Sequence, residues 1–296
     1  MIIYPNAKIN LGLKVLNKRS DGFHNIESVM YPVGMSDILE VSVKKELDVQ
    51  TVSGYDQFKD KFLLRAHDMT DQLTFIQENT PEGLAPEDNL CFKAFNLFMK
   101  DKLQVPIKFY LHLLKLIPDG AGLGGGSSDA VSVIAALNEL MGKPHSQQEL
   151  SSMSALLGSD CPFFIKNVPM LANGKGDQLT ELKIDLSGYW LVIVSPDIKV
   201  NTAWAYQQIQ PSEMGDLPSE IVKSSVESWQ EKLINDFEIP VIRKYPVIQE
   251  IKQTLLTNGA LFASMTGSGS SVYGIFKEPM NLNNQFKDHK TYIQLL

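Results

Sequence analysis

Cysteine is scarce in this chain. Its 296 residues include two, Cys91 and Cys161, too few for a disulfide scaffold or a thiolate-built zinc site. Both read as reduced, buried thiols. The five histidines, His24, His67, His112, His145 and His289, lack the paired spacing that holds a metal on one helix face. No apolar stretch reaches the roughly 18 residues a membrane span needs. The opening residues, Met-Ile-Ile-Tyr-Pro, carry neither a basic region nor a long apolar run. Positive charge is also short: 27 Lys and Arg stand against 34 Asp and Glu, a formal net of -7. Nonspecific nucleic-acid binding needs a concentrated positive field, and this balance argues against it. A cytoplasmic protein is expected, with no membrane and no nucleic-acid partner.

What remains is ordinary globular material, 44% hydrophobic and 21% charged, which sets aside disorder and fibrous classes. The length allows one large domain or two that share a cleft. Residues 2–16 alternate and are rich in β-formers, which places Lys8 and Asn10, two apart, on one strand face. The polar run 18–22 closes in Asp-Gly, a turn signal. Further strand follows over 25–43, interrupted near 34–37, and the stretch 44–87 is polar and mixed. Asp88 is placed to cap a helix running through Lys102. A strand over 105–117 precedes a glycine loop at 118–126 and a helix over 127–141, ended by Gly142 and Pro144. Ser146 and Glu149 fit a capping box for the next helix, which is expected to stop at Gly158. Later elements are a strand over 189–195, a helix over 247–258, and short strands over 261–265 and 271–276 around a second glycine loop. An α+β chain of two lobes results, with no internal repeat.

Five of the seven residues from Gly120 to Gly126 are glycine, and Ser127, Ser128 and Asp129 follow. Glycine lets backbone N–H groups turn inward and lets a phosphate approach without a Cβ in the way. The helix behind the loop adds free N–H groups and the positive end of its dipole, and the two serine hydroxyls can donate to phosphate oxygens. A flexible surface loop or tight helix packing is the plain alternative. The P-loop pattern is excluded because Gly126, where that pattern has lysine, precedes Ser127 directly. Gly120, Gly122 and Gly125 do satisfy the dinucleotide-binding spacing G-x-G-x-x-G. However, the loop lies past residue 100, and a second helix follows where a βαβ unit needs a strand.

Other residues have two readings each. Lys8 can neutralise phosphate or shift the pKa of a neighbouring group, or be a solvated strand lysine. Asp21-Gly-Phe-His24 offers a ring for stacking and an imidazole for a base edge, or a core phenylalanine beside a surface histidine. Asp160, in Gly158-Ser-Asp-Cys-Pro162, suits a general base for an alcohol, yet is also a common turn residue. Met265-Thr-Gly-Ser-Gly-Ser-Ser271 closes over a phosphate or makes a tight turn.

The order of these motifs is informative. Pro5-x-Ala-Lys-Ile-Asn-Leu, Pro118-x-Gly-x-Gly-Leu-Gly-Gly-Gly-Ser-Ser and Met265-Thr-Gly-Ser-Gly-Ser-Ser resemble the three signatures of the GHMP kinase superfamily. Asp21-Gly-Phe-His24 and Gly158-Ser-Asp-Cys-Pro162 are similar to the branch that phosphorylates a cytidylated methylerythritol on the non-mevalonate route to isoprenoids. The resemblance implies a two-lobe α+β fold with the active-site cleft between lobes. An ATP-binding domain would occupy residues 1–165, and a domain contributing to substrate binding 166–296. It implies Asp160 as the base for the acceptor hydroxyl and Lys8 polarising the same region. Pro118, Asp119, Gly120, Ala121, Gly122, Leu123, Gly124, Gly125, Gly126, Ser127 and Ser128 would hold ATP, with Lys115 close by and Asn89 near the adenine. Asn10, Phe23, His24 and Thr202 would bind the substrate. ATP is the implied co-substrate and Mg2+ the expected ion, with no metal ligand assigned; a monomer or weak homodimer is expected. Phe23 stands where tyrosine is familiar in that branch, and Gly-Ser-Asp replaces the commoner Gly-Ala-Asp. Three readings compete: a superfamily enzyme acting on mevalonate, homoserine or a sugar, a nucleotide-binding module without catalysis, and a dehydrogenase.

Overall fold

The computed structural model describes residues 1–44, 64–70, 73–79, 85–100 and 107–296. Strand β1 (Ile2–Ile3) leads into two long strands, β2 (Asn6–Lys18) and β3 (His24–Ser36). They are joined at the predicted Asp-Gly turn, where Gly22 takes φ +86° and Arg19 N donates to Phe23 O at 2.8 Å. Asp37 alone separates β3 from β4 (Ile38–Lys44). The expected break over 34–37 is therefore too wide: Gly34 stays in the strand, its N–H donated to Gln294 Oε1 at 2.6 Å. After β5 (Leu64–Thr70) and β6 (Leu73–Glu78) comes α1 (Leu90–Met99). Its cap is Asn89, whose side chain accepts from Cys91 N at 2.8 Å. Asp88, the expected cap, belongs to the preceding 3-10 turn Pro86–Asp88. The expected helix end at Lys102 and much of the polar stretch 44–87 lie outside the described residues.

Strand β7 (Lys108–Leu114) ends three residues before the expected Ile117, because Leu116 N and Ile117 N turn to donate to Asp37 Oδ1. Helix α2 (Gly125–Leu140) begins two residues ahead of Ser127. Helix α3 (Gln147–Ala155) carries the predicted capping box in full, Ser146 and Glu149 each satisfying the other's backbone N–H. It ends at Ala155, short of Gly158. A further helix, α4 (Cys161–Lys166), follows where only a turn was expected; Pro162 fits its first turn, where a missing N–H breaks no helical bond. The remainder comprises β8 (Met170–Asn173), β9 (Gln178–Glu181), β10 (Trp190–Ser195), α5 (Thr202–Gln207), α6 (Pro218–Ile221), α7 (Glu238–Lys244), α8 (Val247–Thr257), β11 (Phe262–Met265), β12 (Val272–Phe276) and β13 (Lys290–Leu295).

The chain divides into two interleaved units. The first comprises Met1–Asn6, Ser36–Asp119 and Gly125–Ile165; the second comprises Ala7–Met35, Gly120–Gly124 and Lys166–Leu296. The first unit is a sheet in the order β1-β4-β7-β6-β5, with β6 and β7 parallel and its other pairs antiparallel. Leu39 and Val41 of β4 and Phe109, Leu111 and Leu113 of β7 alternate with polar or partly exposed neighbours and are buried. The helices meet them with matching stripes, Cys91, Ala94, Phe95 and Phe98 on α1 and Ala130, Val133, Ile134 and Leu137 on α2. Both follow the i, i+3, i+4, i+7 spacing of one helical face. Each Val, Leu, Ile or Phe side chain among them taken out of water contributes roughly 1.5–3 kcal/mol before entropy is counted.

The second unit has two sheets, β11-β12-β10-β13 and β2-β3-β8-β9. Its core joins Leu13 and Val15 of β2 to Val192, Val194, Ile251, Leu255, Met265 and Val272. From Ala7 to Leu13 every residue of β2 is buried, polar Lys8 and Asn10 included. The strand is thus covered on both faces, so the polar residues on it must find partners inside the protein.

Candidate active site

The second unit holds the loop half of the glycine motif, residues 120–124, against two other segments. Lys8 N donates to Leu123 O at 2.9 Å, and Ser271 N donates to Ala121 O at 3.1 Å. The Thr266 hydroxyl accepts from Asn10 N at 3.0 Å and donates to Gly122 O at 3.1 Å. One side chain therefore ties together β2, the glycine loop and the loop 265–271. Gly122 makes this possible. Its φ is +78°, and a Cβ there would meet Thr266 O at 2.0 Å, far inside any tolerable contact, so only glycine fits.

The loop 265–271 is braced from below. Asn235, fully buried, donates from Nδ2 to Met265 O and Gly267 O, both at 2.8 Å, and its Oδ1 accepts from Phe237 N. Glu238 accepts from Met265 N at 2.7 Å and from Ser264 Oγ, and Lys252 balances its charge at 2.6 Å. Neither Asn235 nor Glu238 was singled out by sequence; a lone Asn-Asp-Phe-Glu run gives no sign of which backbone it holds.

Lys8 and Asn10 share a face, as the strand period predicts. Their side chains touch, Lys8 Nζ donating to Asn10 Oδ1, and Asn10 Nδ2 donates to Ser28 Oγ at 2.8 Å. Both residues are nearly inaccessible, so the solvated-lysine reading of Lys8 fails. At the turn after β2, Phe23 is 57% exposed with Lys175 Nζ 5.3 Å from its ring. His24 stacks on Tyr206 at 5.2 Å, the planes 9° apart, and Tyr206 meets Phe237 edge-on. The exposed phenylalanine leaves a face available for stacking. Tyr206 escaped sequence reasoning because a single tyrosine on a short helix has no signature. Thr202 opens α5 and hydrogen-bonds Ser268 in the second glycine loop at 2.9 Å. Lys199 lies with its aliphatic stem beside Gly120, and it too carries no motif.

In the first unit, α2 begins at Gly125 and presents its early N–H groups at the end of the glycine run. Ser127 is partly exposed, whereas Ser128 is buried. Burial pushes Cys161 up to about 11, partly offset by the Ser127 hydroxyl, so it stays a neutral thiol. Pro118 is partly exposed and Asp119 exposed. Asp160 immediately precedes α4, half-buried, with its carbonyl accepting from Phe163 N at 3.3 Å. Asn89 caps α1 and donates from Nδ2 to Gln77 at 2.8 Å. Lys115 differs most from expectation. It is 9% exposed, and its ammonium is held by Asp37 and by Asp129, the latter at 2.6 Å.

Two family models match the chain, the GHMP kinases N terminal domain over residues 89–167 and the GHMP kinases C terminal over 219–289. A 4-diphosphocytidyl-2-C-methyl-D-erythritol kinase of Parabacteroides distasonis is 40% identical over 285 residues, covering 96% of this chain and 95% of that protein. The chain belongs to the 4-diphosphocytidyl-2-C-methyl-D-erythritol kinase family. Another member of that kinase family, from Bacteroides thetaiotaomicron, is 44% identical over 277 residues, 94% of this chain and 92% of its own. A crystal structure of 4-(cytidine 5'-diphospho)-2C-methyl-D-erythritol kinase superposes with a TM-score of 0.71 at 29% identity, covering 93% of this chain and 90% of that one. A mevalonate kinase structure matches at 0.66 with 12% identity, a likeness of fold alone. The GHMP kinase fold read from the motif order is therefore the fold of this chain, and it is a kinase fold with mixed helices and sheets.

Proposed function

We propose that the chain transfers the γ-phosphate of ATP to the 2-hydroxyl of 4-diphosphocytidyl-2-C-methyl-D-erythritol, giving the 2-phosphate and ADP on the non-mevalonate route to isoprenoids. The near full-length likeness to kinases bearing that substrate's name carries this reading. In it, residues 1–165 form the ATP-binding domain and 166–296 the domain contributing to substrate binding, with the enzyme in the cytoplasm as a monomer or weak homodimer. Residues 118–128 supply backbone N–H groups and hydroxyls to the triphosphate, with Asn89 near the adenine. Phe23 stacks on the cytosine, His24 reads its edge, and Asn10 and Thr202 hold the erythritol side.

Phosphoryl transfer asks mainly for alignment and for neutralisation of charge. Asp160 takes the proton of the 2-hydroxyl as that oxygen attacks, and the Lys8 ammonium stabilises the charge developing on it. Mg2+ would accompany ATP as a complex with the phosphates, which suits an ion that keeps much of its water and binds few protein groups. Among the described residues no set of three or more His, Cys, Asp or Glu side chains is grouped so as to hold a metal ion.

A coupled assay of ADP release with the cytidylated substrate and Mg-ATP tests the reading. Turnover that requires the cytidine is expected. Folded protein that turns over mevalonate, homoserine or a sugar instead, or nothing at all, would overturn it.

A further inference from the structure

Lys115 lies where a phosphate-binding lysine is expected, yet two carboxylates already claim it. Asp37, fully buried, fixes its Oδ1 on Leu116 N and Ile117 N and bonds Lys115 through Oδ2. Asp129, 2% exposed, bonds Lys115 through Oδ2 at 2.6 Å, while its Oδ1 is buried without a hydrogen-bond partner among the described residues. Gly125 and Asp129 are one helical turn apart, so they share a face of α2. A Cβ on Gly125 would come 3.1 Å from Lys115 Nζ and 2.9 Å from Ile117. The start of α2 therefore rests on the lysine through the backbone at Gly125 and, one turn on, through the carboxylate of Asp129.

That placement has an electrostatic consequence. The first turn of α2 is where free N–H groups and the dipole favour an anion. Two carboxylates just beneath it would oppose a triphosphate, and in a buried setting such opposition is weakly screened. Once Asp129 has lost its proton, above about pH 7, one lysine between them brings the cluster from two negative charges to one. Burial drives Asp129 up to about 7, with Lys115 pulling it back and Asp37 adding to the rise, in keeping with a crowded cluster. The charged or titratable groups around Asp129 are Lys115 from the end of β7, Asp37 from the β3–β4 junction and Cys91 from α1.

We propose that Lys115, Asp37 and Asp129 form a buried positioning triad for the nucleotide: Lys115 seats the start of α2 and cancels carboxylate charge beneath it, without touching the phosphates. The inference rests on the kinase reading above. It replaces a direct lysine–phosphate contact with an indirect one, and the two differ in how a second substitution acts.

The test measures equilibrium binding of ATP, ADP and adenosine to the whole chain and its variants, at a pH above about 7 so that Asp129 is ionised. Lys115→Met leaves the carboxylates uncompensated, so ATP affinity falls about tenfold or more, ADP less, and adenosine by less than about twofold, since the penalty scales with ligand charge. Adding Asp129→Asn to that variant removes one opposing charge and recovers ATP affinity to within about threefold of wild type. Asp129→Asn alone, which keeps Lys115 and the side-chain shape, tightens ATP binding by about two- to fivefold and serves if Lys115→Met does not fold. A direct phosphate contact predicts no rescue in the double variant, and a purely structural role predicts equal losses for all three ligands; either result overturns the proposal. Weakened ATP binding in Asp129→Asn alone does so too. Wild-type protein that binds no ATP overturns the kinase reading along with it, whereas tight wild-type binding with an unrescued double variant overturns the triad alone.

Discussion

Two aspartates of the first unit sit in different environments. Asp160 precedes α4 half-buried, while Asp129 is closed in by α2, Lys115 and Asp37. If Asp160 is the base, Asp160→Asn lowers kcat by about 10²- to 10⁴-fold and leaves ATP affinity nearly unchanged; single-turnover kinetics beside a binding titration separate the two. Asp129 makes a prediction about pH. Its carboxyl is raised from the ordinary 3.8 to about 7, so between those values the folded protein holds a proton the unfolded chain has shed. Stability from this group therefore falls as pH rises through the window and levels off above it. The stability of Asp129→Asn relative to wild type should climb from pH 4 to 7 and then flatten in urea titrations; a difference independent of pH would contradict the assignment. Gly122 is a third case at this scale. Gly122→Ala drives a methyl into Thr266 O in a left-handed backbone, and a loss of about 1–3 kcal/mol in stability is expected, together with weaker ATP binding.

Among the elements, the loop 265–271 depends most on a residue outside itself. Asn235→Ala strands two buried carbonyls, each costing about 1–3 kcal/mol, so urea denaturation should show a drop of that order and amide exchange should quicken through 265–271. Asn235→Asp, which keeps only acceptors, should not rescue it. What the sequence revealed at this scale follows the range of the interaction. The capping box at Ser146 and Glu149 is local, and it was legible. The glycine run before α2 and the shared face of Lys8 and Asn10 are equally local. Helix α4 was hidden because six residues beginning Cys-Pro carry too short a period to read. The end of β7 was misplaced because its cause, Asp37, lies some 80 positions earlier in the chain, and Asn235 and Tyr206 were invisible for the same reason. The cap of α1 shifted by one residue between two good caps, Asp88 and Asn89, a choice that only the Cys91 N–H decides.

For the whole molecule, the order of the motifs carried the family, from the segment at 5–11 through the glycine loop and the turn at 158–162 to the loop at 265–271, and near full-coverage relatives bear that family out. Ligand linkage offers a test at this level: with ATP at one hundred times its dissociation constant, stability should rise by about 2.7 kcal/mol. A thermal-shift titration in which ATP leaves the midpoint unmoved would count against nucleotide binding to the native state.

The interleaving of the two units bears on how the protein is made. Leu13 and Val15 of β2 leave the ribosome long before Val192, Val194 and Val272, the residues that cover them. At typical rates of synthesis the wait is on the order of 10 to 50 seconds, during which the apolar face of β2 has no native shelter. Such a nascent chain is a natural client for holding chaperones, and a fragment ending at Ile165 would keep the first unit's core but leave Leu13 and Val15 without the residues that cover them.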